Sequence, residues 1–223
     1  MTKSNLNIFL INIDGVSKKI HEIESLLSKH NLYLLCITET KLTENIPNER
    51  ISVPGYSIIR KDREGQKGGG IMIFYKHYLK IQHVTPQFNL NSCEFIFCTV
   101  SLANNSSLNV VLIYRPPRSN LDSFLDSLEL FCSTHSYLYN MPFCFLGDLN
   151  IDLNEGKPNS SLIQYKNLLT SFNLTQIVSF PTRICMSRAS VIDHVTVNSL
   201  LNISSCTSID CSFTDHQGVK KAI

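Results

Sequence analysis

The sequence predicts a single α/β domain over residues 1–223, with helices covering β-sheet from outside. Three observations predict it. Short apolar runs rich in β-branched residues alternate with stretches whose apolar positions recur every three or four residues. No linker, repeat or low-complexity segment divides the chain. Its 43% apolar content, with 20 basic against 18 acidic residues, supports a packed core and excludes a disordered chain.

"LNIFLINI" (6–13) reads as a buried strand, ended by Gly15. Ser17 can cap the helix that follows, whose apolar face holds Ile20, Ile23, Leu26 and Leu27 as far as about His30. "LYLLCI" (32–37) is a second buried strand. After a polar loop, Pro54-Gly55 turns the chain into "YSIIR", and the glycine-rich "REGQKGGG" (63–70) joins that strand to "IMIFY" (71–75) as a hairpin. "EFIFCTVSL" (94–102) and "NVVLIY" (109–114) are strands around an "ANNSS" turn. Asn120 caps a helix carrying Leu121, Phe124, Leu125, Leu128 and Phe131. "FCFLGDLNI" (143–151) is a strand that breaks at Gly147. A third helix presents Leu162, Ile163, Tyr165, Leu168, Leu169 and Phe172. Strands around 190–198, 204–213 and 218–223 close the chain. Periodicity alone leaves open whether these strands form one sheet or two.

The near-neutral balance, +2 formally, excludes a polybasic binder, so any nucleic-acid affinity must come from a local patch. Lys61, Arg63 and Lys67, then Arg115 and Arg118, then Arg183 and Arg188 are the basic clusters, and Arg115 and Arg118 are the preferred DNA contacts. None of the eight cysteines forms C-x-x-C, and they read as reduced core residues of an intracellular protein. The N-terminal apolar run is too short for a signal peptide, and no 18-residue apolar stretch offers a membrane span. Gly68-Gly69-Gly70 lacks the following Lys-Ser/Thr of a phosphate-binding loop and reads as a turn.

One event repeats along the chain: apolar strands end in a hard oxygen ligand or a histidine. Asn12 and Asp14 follow "FLI", Glu39 follows "LLCIT", Tyr114 follows "VVLI", and Asp148 and Asn150 follow "FCFLG"; Asp193 follows "SVI" and Asp215-His216 lie in "SFTDH". Carboxylates at buried strand ends are costly to desolvate, and a divalent cation such as Mg²⁺ compensates them. Alone, Asn12 reads as a turn residue and Tyr114 equally well as core; His194 reads as structural. Asp148 and Asn150 alternate onto one face, which favours a site.

In this order "INIDG", "TET", "LIYRPP", "GDLNID", "PTR", "VIDHV" and "FTDH" resemble the endonuclease/exonuclease/phosphatase superfamily, and the combination resembles the apurinic-type endonuclease domain of non-LTR retrotransposons. The likeness implies a four-layered α/β sandwich, two packed β-sheets flanked by helices, and hydrolysis of DNA phosphodiesters assisted by Mg²⁺, with Mn²⁺ as the alternative. It makes Glu39 the main metal ligand, helped by Asn12, Asp14 and Asp215. Asp148 and Asn150 would orient and activate water, His216 held by Asp193 would contact the scissile phosphate, and Tyr114 would orient it. Whether Asp148 or His216 takes the proton stays open at this level.

The resemblance also implies double-stranded DNA as partner, a nuclear location, and a reverse transcriptase beyond this chain, since no polymerase Asp-Asp motif is present. Three other functions compete. A repair endonuclease or 3′-phosphodiesterase would prefer abasic DNA, an inositol phosphatase needs head-group contacts that the sequence does not supply, and a non-catalytic nucleic-acid-binding remnant would show a damaged site.

Overall fold

A computed structural model describes residues 6–65, 67–84, 90, 92–102, 106–136, 140–154, 160–186 and 188–223; most of the expected "ANNSS" turn and Gln66 lie outside them. The chain runs β1 (Asn7–Asn12), α1 (Ile20–Lys29), β2 (Leu34–Thr38), β3 (Tyr56–Lys61), β4 (Ile71–Lys76), β5 (Ile81–Val84), β6 (Glu94–Ser101), β7 (Ser107–Tyr114) and α2 (Leu121–Thr134). It continues β8 (Phe143–Asp148), α3 (Ser160–Ser171), β9 (Leu174–Gln176), β10 (Arg183–Cys185), β11 (Arg188–Ser190), β12 (Asp193–Asn198), β13 (Ser205–Ile209) and β14 (Gly218–Ala222).

Two six-stranded sheets form, in the orders β13-β14-β1-β2-β4-β3 and β5-β6-β7-β8-β12-β9, with β10 and β11 as a separate ribbon. The alternation of the strands explains the layers. Inward residues of the first sheet (Ile8, Leu10, Leu34, Cys36, Ile73) meet those of the second (Ile96, Val110, Leu112, Cys144, Val195) in one apolar layer. The outer face of the first sheet packs on Ile23, Leu26 and Leu27 of α1. The outer face of the second packs on Phe124, Leu128 and Phe131 of α2 and on Leu162 and Tyr165 of α3. The result is the four-layered sandwich. No helix among the described residues is long and apolar enough to cross a membrane.

Several local expectations need correction. Ser17 does not cap α1: Lys19 holds the cap position without a side-chain bond, and its N–H closes a turn on Val16 O at 2.8 Å. Asn120 does cap α2, accepting from Ser123 N at 2.9 Å. Gly147 does not break β8. It lies inside the ladder at φ +154°, between Ile113 and His194, where a Cβ would overlap the Ile113 carbonyl. Ile163 faces solvent rather than core.

Each sheet carries one parallel pair of strands, β1 with β2 and β7 with β8, and this fixes the site. In a parallel pair both C-terminal ends leave from the same edge, and the side chains that follow collect there. β12 runs antiparallel to β8 with Asp193 opposite Asp148, so its first residue reaches that edge. β14 runs antiparallel to β1, which brings the preceding His216 there too.

Candidate active site

At this rim the two sheets are joined by polar side chains. Asn12, at the end of β1, donates its amide N–H₂ to Glu39 Oε1 at 3.0 Å and to Asp148 Oδ2 at 2.9 Å. Tyr114 OH, at the end of β7, donates to the same Glu39 oxygen at 3.0 Å. Asp148 is 1% exposed and also accepts from Asn150 N at 3.1 Å. Opposite it, His216 Nδ1 lies 2.7 Å from Asp193 Oδ2, both side chains buried. One ligand atom from each of Asp148, Asp193 and His216 falls within 4.8 Å of the others.

The backbone is bent to achieve this. Asp14, Glu39, Lys41 and Asn150 all have φ between +50° and +52°, half of the eight described non-glycine residues in the left-handed region. Each such residue costs about 1–3 kcal/mol, and their concentration where strands deliver side chains marks a constrained site. Threonines hold the remaining approaches. Thr214 Oγ1 donates to Asn12 O at 2.9 Å and accepts from His216 N at 3.3 Å. Buried Thr182 Oγ1 accepts from Ile192 N and Asp193 N, and its carbonyl accepts from Gln217 N.

Electrostatics separates the two halves of the site. Burial pushes the Asp148 carboxyl up to about 7; the Asp193 carboxylate adds to this, while His216 and the Asn12 amide oppose it. Burial by itself would lower His216, but the Asp193 carboxylate, through its charge and its hydrogen bond, outweighs burial and brings the imidazole up to about 9. His216 is therefore a cation at neutral pH, with Nδ1–H on Asp193 and Nε2–H left over. Burial, then Glu39, holds the Tyr114 phenol well above its ordinary value, so it acts as a donor.

The remaining residues expected at the site have partners that the sequence does not show. Asn12 bridges two carboxylates through its amide N–H₂, and its amide oxygen accepts from Asp14 N at 3.1 Å. Tyr114 OH is bonded to Glu39. Asp14 is exposed and ion-paired with Lys41, and the hydrogen bond to that ammonium lowers its carboxyl. Asp215 pairs with Arg183 at 2.8 Å, and its other oxygen is 3.9 Å from His216 Nε2. Asn150 donates its amide to Arg115 O at 2.8 Å.

Arg115 is the clear correction among the DNA contacts. It is 3% exposed, and four of its five N–H donors are spent on Leu149 O, Asn150 O, Ser119 O and Ser119 Oγ. It latches the loop after β8. Arg118 is exposed and keeps its candidacy. His194 is structural: Nε2 lies 2.9 Å from Ile151 O and Nδ1 accepts from Tyr165 OH at 2.9 Å. The contributions of Thr182 and Lys41 were not foreseen. The signal for Thr182 lay in "PTR", a lone hydroxyl between a proline and an arginine ahead of the Asp193 strand.

The donor set fits a hard divalent cation. Glu39 Oε1 is taken by Asn12 and Tyr114; among the described residues, Oε2 has only Lys41 Nζ at 4.0 Å, and the buried Asp193 Oδ1 has no hydrogen-bond partner. Oxygen ligands of this kind suit Mg²⁺.

Residues 5–216 match the endonuclease/exonuclease/phosphatase family. No curated protein sequence matches the chain. Among solved structures it is similar to the endonuclease domain of TRAS1, a telomere-specific non-LTR retrotransposon, at 14% identity over 98% of both chains with a TM-score of 0.75. It is also similar to the 3′-5′ exonuclease NExo from Neisseria meningitidis, at 14% identity over 97% of this chain and 98% of that one, TM-score 0.75. A third likeness is to an AP endonuclease from Archaeoglobus fulgidus, at 15% identity over 98% of both chains, TM-score 0.69.

Proposed function

The chain belongs to the endonuclease/exonuclease/phosphatase family, and on that premise we propose that it is a Mg²⁺-dependent endonuclease that nicks double-stranded DNA. In this reading the nick leaves a 3′-hydroxyl from which a reverse transcriptase supplied outside this chain primes synthesis. The observation that carries the reading is the convergence at one rim of a cation-ready carboxylate (Glu39), a buried carboxylate (Asp148) and a carboxylate-held imidazolium (His216).

Glu39 would hold the cation through Oε2, with Asp14 and Asp215 at the mouth. A cation bound there supplies Lewis-acid neutralisation of charge on the phosphate. The chain's own groups do the rest. His216 Nε2–H donates to a nonbridging phosphate oxygen as negative charge develops on it. With His216 already protonated, Asp148 is the group able to take a proton from attacking water, and Asn150 helps to place that water. Asn12 keeps Glu39 and Asp148 apart so that cation and base do not collapse onto each other.

The surroundings suit DNA. The β10–β11 ribbon carries Ile184 and a fully exposed Met186 at its tip, flanked by Arg183 and Arg188. Beside it an open cleft of about 560 Å³ is lined by Pro117, Asn150, Asp152, Arg183, Cys185 and Arg188. Apolar wedges and arginines of this kind match a nucleic-acid groove.

The test is nicking of supercoiled plasmid by the purified chain in Mg²⁺ or Mn²⁺, against EDTA, on intact and abasic duplexes. Metal-dependent relaxation of intact plasmid supports the reading. Cleavage confined to abasic sites supports the repair-type alternative, and DNA binding with no cleavage supports a non-catalytic remnant.

A further inference from the structure

The glycine-rich hairpin between β3 and β4 and the basic residue at its start have no part in the mechanism above, yet they lie directly behind Glu39. Arg63 is ion-paired through Nε with Glu94 Oε1, and these side chains are 19% and 12% exposed. The other Glu94 oxygen accepts from Gly70 N at 2.6 Å. Gly70 O accepts from Thr40 N at 3.0 Å, and Gly69 O accepts from Lys41 N at 2.8 Å, so the hairpin backbone grips the two residues after Glu39.

On the other side, the Arg63 guanidinium lies 5.6 Å from the centre of the Tyr114 ring, a cation–π distance. Tyr114 OH in turn donates to Glu39 Oε1. Glu94 and Tyr114 are themselves opposite one another in the β6–β7 ladder. The contacts therefore close on themselves, from Glu94 through Gly70, Thr40, Glu39, Tyr114 and Arg63 back to Glu94. Both glycines lie in the left-handed region, at φ +66° and +82°; a Cβ on Gly69 would meet the Arg63 guanidinium, and one on Gly70 would meet Thr40 Oγ1.

We propose that Arg63 and Glu94 are positioning residues for Glu39, and that this ring of contacts fixes its carboxylate to receive a divalent cation. The proposal rests on Glu39 as the cation ligand. A pair that only stapled the hairpin would explain the Glu94–Gly70 bond but not the stacking on the tyrosine that orients Glu39. Groups that orient a metal ligand typically change affinity by roughly 10- to 100-fold when removed.

The experiment measures Mn²⁺ dissociation constants of the full chain by electron paramagnetic resonance, together with plasmid nicking against Mn²⁺ concentration. Arg63→Met and Glu94→Gln are expected to weaken Mn²⁺ binding roughly 10- to 100-fold, with the activating concentration rising in parallel. In a Tyr114→Phe background, Arg63→Met should add clearly less than it does in the wild-type chain, because one of its two routes to Glu39 is already cut. If Arg63→Met loses its fold, the isosteric Glu94→Gln answers the same question.

Wild-type Mn²⁺ affinity in folded Glu94→Gln, with affinity lost in Glu39→Gln, overturns the proposal and leaves the proposed function standing. Full additivity of Arg63→Met and Tyr114→Phe also overturns it. A wild-type chain that binds no Mn²⁺ overturns both.

Discussion

Replacing Asp193 by Asn keeps the size of the side chain and removes the charge that holds His216 protonated. In the native site the imidazole is brought from 6.5 to about 9 against the pull of burial. At about 1.4 kcal/mol per unit, that rise corresponds to roughly 3 kcal/mol favouring the cation. Because the folded value is raised, this stabilisation is full below pH 6.5 and fades as pH climbs through about 9. Without the carboxylate, burial is opposed only by the charges of Asp148 and Asp215, and the His216 midpoint should fall. At pH 7.5 the variant then loses positive charge on the imidazole that meets the phosphate, and nicking should fall about 10²- to 10³-fold. The assay pairs initial nicking rates with the imidazole titration followed by ¹⁵N nuclear magnetic resonance. A wild-type His216 midpoint near 6.5, or an Asp193→Asn chain that nicks at the native rate, would refute the reasoning.

Three further outcomes follow from the same geometry. Gly147→Ala should lose about 3 kcal/mol or more in urea denaturation, since its Cβ has no space beside the Ile113 carbonyl; a native-like midpoint would contradict this. Burial lowers His194 to about 4, so stability is full above pH 6.5 and declines as pH falls towards 4, by roughly 3 kcal/mol in total; His194→Gln should flatten this decline, and an unchanged slope would exclude His194 as its source. Arg118→Ala should reduce the slope of log DNA affinity against log salt by about one unit with the melting temperature unchanged, whereas Arg115→Met should lower the melting temperature; exchange of these two phenotypes would reverse their assignments.

The long strands and all three helices were legible because their periodicity runs over several turns or alternations. β5, β9, β10 and β11 were not, being three or four residues long and too short to show a period. The four layers were not legible from pattern alone, because an apolar run such as β8 reads the same whether it packs on a helix or on a second sheet. At the site, residue identities were readable from their places at strand ends, but their partners were not. Nothing in "YRPPR" shows that Arg115 turns inward to carbonyls 34 and 35 residues away. Nor does "INIDG" show that the Asn12 amide spans two carboxylates from different sheets. Gly147 misleads for a related reason: glycine signals a break, but here it lets two backbones approach within a continuous ladder.

The most direct measurement is anomalous diffraction from a crystal of the chain soaked with Mn²⁺ and bound to a nicked duplex. We expect a manganese peak in contact with Glu39 and with a phosphate that also meets His216 Nε2, with Asp148 on the side of that phosphate from which water attacks. Manganese bound away from Glu39, or a phosphate seated outside the rim shared by Asp148 and His216, would contradict the account.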